Sequence, residues 1–161
     1  LDQSLQFAKP ATPLLEKADV SSIFEETLQL LRPQIEKQLI VVEKGFQPLS
    51  TILMDREQMK QAFLNLLLNA IQAMPRGGHL TLKGQNSEDG QWIRISIQDS
   101  GIGISRENIK RLFDPFYSTK EGGIGLGLSI THRIIDQHRG KIEVESTPEK
   151  GTLFTIWLPI S

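Results

Sequence analysis

Cysteine is absent from this sequence of 161 residues, which excludes disulfide bonds, thiolate metal ligands and cysteine nucleophiles. No apolar run approaches the roughly 20 residues of a membrane-spanning helix, and the first residues, LDQSLQFAKP, do not resemble a signal peptide. A formal net charge of −1 offers no excess of positive charge to attract nucleic acid or an anionic membrane. We therefore expect no nucleic-acid partner, no direct membrane contact and a cytoplasmic location for this domain.

The apolar content of 39% and the charged content of 23% are those of an ordinary globular domain, and the length suits one hydrophobic core. Residues 1–9 carry apolar positions at helical spacing, and Pro10 and Pro13 end that segment. The chain begins abruptly within this predicted helix. We therefore expect the end of a helix and a linker over 1–11, one domain over 12–161, and a longer parent protein that could be anchored in a membrane.

Hydrophobic periodicity predicts a helix from Asp19 or Ser21 to about Gln38, with a kink or an early end at Pro33. A strand pair over 39–46 and 50–54 precedes a long helix over 56–74. The remaining predicted elements are strands over 79–86 and 91–99, helices over 106–112 and 126–138, and a hairpin of strands over 140–146 and 152–158. Neighbouring strands joined by tight turns predict an α+β fold in which helices cover one face of a mixed sheet.

Glycine is concentrated in the irregular segment 100–127. Compact domains seldom keep about 20 irregular residues unless those residues have a function. The run Gly122–Gly127 leads into a predicted helix, so its backbone amides and the helix start can hold a phosphate group. A flexible linker is the alternative interpretation. The P-loop and the dinucleotide fingerprint do not fit, because Leu128 and Ser129 follow the last glycine and the glycines are spaced G-x-G-x-G.

Asp99 ends a strand of alternating apolar residues and is followed at once by the glycine-rich segment. A carboxylate at this place can accept a hydrogen bond from an exocyclic amine such as that of adenine. Guanine presents a carbonyl at the same position, and two acceptors repel each other. The alternative is that Asp99 only caps a turn.

Asn65 and Asn69 lie four residues apart on the long predicted helix, beside Gln58 and Gln72 and away from its apolar stripe. Amide oxygens at this spacing can ligate a hard cation such as Mg²⁺, which also takes phosphate oxygens. A solvated polar edge of the helix is the alternative.

Five motifs follow one another across residues 51–158, namely Gln61–Ala70, Asp99–Ile104, Leu112–Tyr117, Gly123–Leu128 and Gly151–Thr152. They resemble the N, G1, F and G2 boxes and the glycine–threonine element of the catalytic, ATP-binding domain of two-component sensor histidine kinases. That family belongs to the GHKL superfamily of gyrases, heat-shock chaperones, histidine kinases and mismatch-repair ATPases. The lid sequence of residues 116–120 is similar to that of the nitrogen-regulator and sporulation-kinase subgroup of the family. The resemblance implies a Bergerat fold, a two-layer α/β sandwich whose mostly antiparallel mixed sheet carries three helices on one face.

The resemblance also implies ATP and Mg²⁺ as cofactors and a role for each matched residue. Asn69 would ligate the metal, with Asn65 as a second ligand or support. Asp99 would bind the adenine amine with Thr152 behind it, and residues 105–123 would form the ATP lid. Further nucleotide contacts would come from Gly101, Gly103, Ile104, Phe113, Phe116, Gly123, Gly125, Leu126, Gly127 and Leu128.

The lid departs from the family pattern at one position. Many members carry an arginine directly after the aromatic pair of the F box, where this chain has Ser118. We expect Lys120 to supply the positive charge that a transferring phosphoryl group requires. The alternative is that Lys120 is a solvent-exposed charge of the lid.

Asn65 separates a kinase from a hydrolase within the superfamily, because the related ATPases resemble one another in carrying glutamate there. An amide cannot accept the proton of an attacking water, so we expect a poor ATPase whose nucleophile is a histidine from elsewhere. His79, His132 and His138 lack the sequence context of the family's acceptor, and we expect them to be structural or solvated.

The implied partners are the dimerisation and histidine-phosphotransfer domain of the same protein, which residues 1–9 would join, and a response regulator. The parent protein would be a homodimer. The alternative function is a regulatory module that holds ATP without transferring phosphate.

Overall fold

The computed structural model describes residues 12–115 and 127–161. Within these two ranges the strands are β1 (Glu16–Ala18), β2 (Ile40–Phe46), β3 (Ile52–Met54), β4 (Gly78–Asn86), β5 (Trp92–Asp99), β6 (Lys141–Thr147) and β7 (Gly151–Pro159). The helices are α1 (Val20–Lys37), α2 (Arg56–Gln72), α3 (Arg106–Ile109) and α4 (Gly127–Gln137). The described helices include none that is long and apolar enough to cross a membrane.

The main sheet has five strands in the order β2-β4-β5-β7-β6. Strand β2 runs parallel to β4, and the other three pairs are antiparallel. In this register Asp99 lies opposite Leu80 on one side and opposite Thr152 on the other. The last residue of β5 is therefore held in the middle of the sheet rather than at an edge.

The core lies between one face of this sheet and the helices. Alternate residues of β5 and β7 are buried, as the period of two in a strand requires, and they meet the apolar faces of the helices. The opposite face carries exposed charged side chains such as Lys83, Arg94 and Glu143. The predicted α+β fold, a mixed sheet with its helices on one face, is confirmed.

One prediction about local structure was wrong, and one of the two alternatives at Pro33, an early end of the helix, is excluded. The segment 50–54 does not pair with 39–46, because β2 reaches its parallel partner β4 through the crossover helix α2, whereas β3 pairs with β1 in a separate two-stranded sheet. Pro33 does not end α1, which continues to Lys37. The proline is exposed on the outer side of the helix, and the burial of Leu31 and Ile35 offsets the lost backbone hydrogen bond.

His138 has the structural role that was predicted for it. Its buried ring lies 2.7 Å from the carbonyl of Ile134 through Nδ1, and Nε2 accepts from the backbone N–H of Asp55 at 3.0 Å. The carboxylate of Asp55 caps α2 through Gln58 N–H and also accepts from Leu14 N–H at 3.0 Å. This network ties the start of α2 to the end of α4 and to residue 14. His79 and His132 are exposed, as predicted.

Candidate functional site

Asp99 is a buried carboxylate at the end of the central strand β5, with 4% of its surface exposed. Its Oδ1 accepts from the backbone N–H of Gly101 at 2.9 Å and from that of Thr152 at 3.3 Å. Both bonds use one oxygen, so within the described ranges Oδ2 is the atom placed to accept from a ligand. The predicted proximity of Thr152 to Asp99 is confirmed, although the contact is made by the threonine backbone.

The buried environment of the Asp99 carboxylate favours a further hydrogen-bond donor from a ligand. Burial raises the pKa of the Asp99 carboxyl above its ordinary value, and the two backbone hydrogen bonds oppose that rise only in part. A buried acceptor without enough donors is costly, and an amine of a ligand can supply one. The residue is therefore suited to bind a neutral N–H group that enters the site.

Gly101 and Gly103 allow the loop after Asp99 to pack against the backbone of the domain. A Cβ atom on Gly101 would lie 2.3 Å from the carbonyl oxygen of Ala73, and one on Gly103 would lie 2.2 Å from that of Thr147. Gly103 also has a φ of +72°, which side chains rarely adopt. These two glycines are thus required by close packing at the end of α2 and at the β6–β7 turn, whatever they contact in a ligand.

Ser146 is part of the site and was missed from the sequence. Its Oγ accepts from the backbone N–H of Ile104 at 2.7 Å and lies 2.8 Å from Oγ1 of Thr152. It also donates to the carbonyl of Gly151 at 2.9 Å. The predicted hairpin already placed positions 146 and 152 across from each other, which was the available signal. The serine links the loop after Asp99 to the strand behind it.

One face of α2, with its C-cap, contacts the loop after Asp99 at one end and the start of α4 at the other. Asn65, Asn69 and Ala73 follow one another at intervals of four residues and lie along one side of the helix, over about 12 Å of its axis. Asn65 contacts Gly127 at the start of α4, and the carbonyl of Ala73 accepts from Ile102 N–H at 3.0 Å. Asn69 is half-buried and lies between these two contacts. The site therefore extends from Asp99 at one end to Gly127 at the other.

The half-buried Asn65 side chain is hydrogen-bonded to α4. Its Nδ2 donates to the carbonyl of Gly127 at 3.1 Å and to Oγ1 of Thr131 at 3.4 Å. A Cβ atom on Gly127 would lie 3.7 Å from Cγ of Asn65, an ordinary contact distance. At Asn65, the predicted polar side of α2 is therefore turned toward the start of α4.

The oxygen-bearing side chains on this face of α2 suit Mg²⁺ only when a bound ligand supplies further oxygen atoms to the metal. Among residues 12–115 and 127–161, no group of three or more His, Cys, Asp or Glu side chains could hold a metal ion. Asn65 and Asn69 each carry an amide oxygen, and Mg²⁺ held by few protein ligands takes the rest of its ligands from water and phosphate. The residues fit a metal that enters with a phosphate ligand and do not form a self-contained metal site.

The start of the predicted lid is anchored in the core. Leu112 is buried, and the half-buried Phe113 ring lies 6.5 Å from the Phe154 ring and 5.3 Å from the His132 ring. After the lid, the half-buried Leu128 packs against the core. The remaining predicted site residues lie outside the described residues, and their roles stay predictions: Phe116, Lys120, Gly123, Gly125 and Leu126.

Comparison with known families gives one match that covers most of the chain. The family described as Histidine kinase-, DNA gyrase B-, and HSP90-like ATPase matches residues 54–161. Sporulation kinase E of Bacillus subtilis is 38% identical over an alignment of 167 residues, which covers 99% of this chain and 22% of that protein. The signal transduction histidine-protein kinase AtoS of Escherichia coli is 38% identical over an alignment of 162 residues, which covers 100% of this chain and 26% of that protein. The chain thus spans about a quarter of these relatives.

Solved structures share the fold. The catalytic domain of histidine kinase ThkA superposes with a TM-score of 0.82 at 30% identity, covering 91% of this chain and 97% of that one. Full-length ShkA in complex with AMPPNP superposes with a TM-score of 0.86 at 27% identity, covering 98% of this chain and 34% of that one. ThkA in complex with the response regulator TrrA gives a TM-score of 0.83 at 28% identity, with 99% and 46% covered.

Proposed function

This chain belongs to the histidine kinase-, DNA gyrase B- and HSP90-like ATPase family and is a histidine-kinase catalytic domain. We propose that it binds Mg-ATP for transfer of the γ-phosphoryl group. The acceptor is a histidine on a dimerisation domain of the same protein. The phosphate then passes to a response regulator, and the parent protein acts as a homodimer in two-component signalling. The complexes of ShkA with AMPPNP and of ThkA with a response regulator support this assignment.

The geometry of Asp99 is the observation that carries the nucleotide assignment. The buried carboxylate has one oxygen engaged by Gly101 and Thr152, and its second oxygen is left to accept from a ligand. An acceptor at this place accepts from the 6-amino group of adenine and repels the carbonyl that guanine carries instead. Asp99 therefore binds and selects the base.

The other end of the site is assigned to the phosphates. Gly127 begins α4, and a helix start attracts negative charge through its unpaired N–H groups. We assign Asn69 as a magnesium ligand and Asn65 as a second ligand or support. A magnesium ion held there would supply positive charge against the phosphates of ATP. Lys120 is assigned to the γ-phosphate, and Gly123, Gly125 and Leu126 to the triphosphate, from their motif alone.

The identity of residue 65 supports transfer to a histidine over hydrolysis. The amide nitrogen of Asn65 donates to Gly127, and an amide oxygen cannot take a proton from water at neutral pH. The neutral imidazole of an acceptor histidine already carries a free lone pair and needs no such base. The domain therefore holds ATP for an external nucleophile.

The test combines this chain with the separately produced dimerisation hairpin of the parent protein and ATP labelled at the γ-phosphate. We expect acid-labile label on the hairpin, and none on a hairpin whose acceptor histidine is replaced by glutamine. Tight binding of ATP without label on the intact hairpin would contradict the kinase assignment and favour a module that only holds the nucleotide.

A further inference from the structure

The orientation of the Asn65 amide is determined by what it faces on α4. A backbone carbonyl can only accept hydrogen bonds, so the group of Asn65 that lies 3.1 Å from the Gly127 carbonyl must be its nitrogen. The amide oxygen of Asn65 is then turned away from the Gly127 carbonyl. A rotation of the amide by 180° would bring two acceptors together, and the Gly127 carbonyl forbids it.

Thr131 adds a second constraint on the same amide. This fully buried side chain donates its hydroxyl hydrogen to the Gly127 carbonyl at 2.8 Å. Because that hydrogen is used, the hydroxyl oxygen can only accept, and it lies 3.4 Å from Nδ2 of Asn65. Asn65, Gly127 and Thr131 thus form a closed network in which every donor direction is fixed.

We propose that Thr131 is a positioning residue that fixes the Asn65 amide with its nitrogen on α4, which leaves the amide oxygen to face a magnesium ion. This inference rests on the proposed function, in which Asn65 supports the magnesium ion. The threonine itself contacts neither the nucleotide nor the metal. Its hydroxyl acts through Asn65, and a side chain of equal shape without a hydroxyl removes the acceptor that lies 3.4 Å from Nδ2.

The chain offers a matched control for this hydroxyl. Thr27 on α1 is also fully buried, and its hydroxyl donates to the carbonyl four residues earlier, that of Ile23, at the same distance of 2.8 Å. Thr27→Val and Thr131→Val therefore remove the same helical hydrogen bond from two places. Only the second removes an acceptor from Asn65.

The measured quantity is the ratio of the ATP dissociation constants without and with Mg²⁺, obtained by calorimetry on this chain. We expect Thr131→Val to lower this ratio by about fivefold, the scale of one hydrogen bond. Thr131→Ser, which keeps the hydroxyl, and Thr27→Val should leave the ratio unchanged. An unchanged ratio for Thr131→Val, or an equal fall for Thr27→Val, would overturn the proposal.

A double-mutant cycle separates this inference from the function on which it rests. In the background of Asn65→Ala, Thr131→Val should have no further effect on the ratio, because the side chain through which it acts is gone. Additive losses would overturn the positioning role while leaving Asn65 as a magnesium support. No effect of Asn65→Ala itself would overturn the assigned role of Asn65.

A measurement on the unmutated chain keeps the proposal testable if Thr131→Val fails to fold. The side-chain amide protons of Asn65, assigned by NMR through Asn65→Ala, should exchange with solvent more slowly than those of the exposed Gln91 side chain. Exchange of the Asn65 protons at the rate of an exposed amide would show that its nitrogen is not held by Gly127 and Thr131, and would refute the proposal.

Discussion

Replacement of Asp99 by asparagine tests the adenine contact with the smallest change of shape. The backbone N–H groups of Gly101 and Thr152 both donate to one oxygen of Asp99, at 2.9 Å and 3.3 Å. An asparagine must present its oxygen to these two donors, so its NH₂ group takes the place of Oδ2. A donor then faces the amine of adenine, and the loss of this buried contact costs about 1–3 kcal/mol, or a roughly 5- to 150-fold rise in the Kd for ATP.

The same change should not lower the stability of the nucleotide-free domain. Burial raises the pKa of Asp99, so the folded state binds a proton more readily than the unfolded chain does. Stability from such a group is fully present below the unfolded pKa and is lost as the pH rises through the folded pKa. At neutral pH the buried charge therefore costs stability, and the neutral asparagine removes that cost. We expect the Tm of Asp99→Asn at pH 7 to equal or exceed that of the unmutated chain.

The assay is calorimetric titration of both proteins with ATP and Mg²⁺, together with thermal unfolding. Asp89→Asn is the control, since the Asp89 carboxylate also accepts from a backbone N–H, that of Gln91, but lies in an exposed turn. It should leave the affinity for ATP unchanged. Equal ATP affinities for Asp99→Asn and the unmutated chain would refute the reasoning, because no acceptor would then be needed at this place.

Three further substitutions have expected outcomes. Asn69→Ala should abolish the tightening of ATP binding by Mg²⁺, and a titration in which Mg²⁺ still strengthens binding would show that the metal is held elsewhere. Lys120→Ala should slow phosphoryl transfer to the dimerisation hairpin more than it weakens ATP binding, whereas equal losses of both would mean that the lysine only anchors bound ATP. Gly103→Ala should lower the Tm by several degrees, because its Cβ atom would overlap the carbonyl of Thr147 at a φ of +72°; an unchanged Tm would mean that this loop is not held as described.

Local signals in the sequence were sufficient to predict most of the helices and strands. The apolar stripe of α2 and the stop at Pro75 predicted a helix over 56–74, and the helix spans Arg56–Gln72. Alternating apolar residues likewise predicted β5 and β7 within two residues. Such signals act over a few residues, so they can be read without knowledge of the rest of the chain.

Long-range pairing could not be read in the same way. The three residues of β3 have no pattern that distinguishes β1 from β2 as a partner, and the crossover through α2 decides the pairing. The role of Ser146 depends on the approach of Ile104, which is 42 residues away in the sequence. The face of Asn65 was predicted to be polar, but its contact with Gly127 and Thr131 follows only from the packing of α2 on α4.

The most direct test of the account is a comparison of ATP and GTP binding to this chain by calorimetry in the presence of Mg²⁺. The buried Asp99 acceptor predicts heat of binding and a rise in Tm with ATP, and much weaker binding of GTP, whose carbonyl meets that acceptor. Equal affinities for the two nucleotides, or no binding of ATP at all, would contradict the claim that this carboxylate selects adenine.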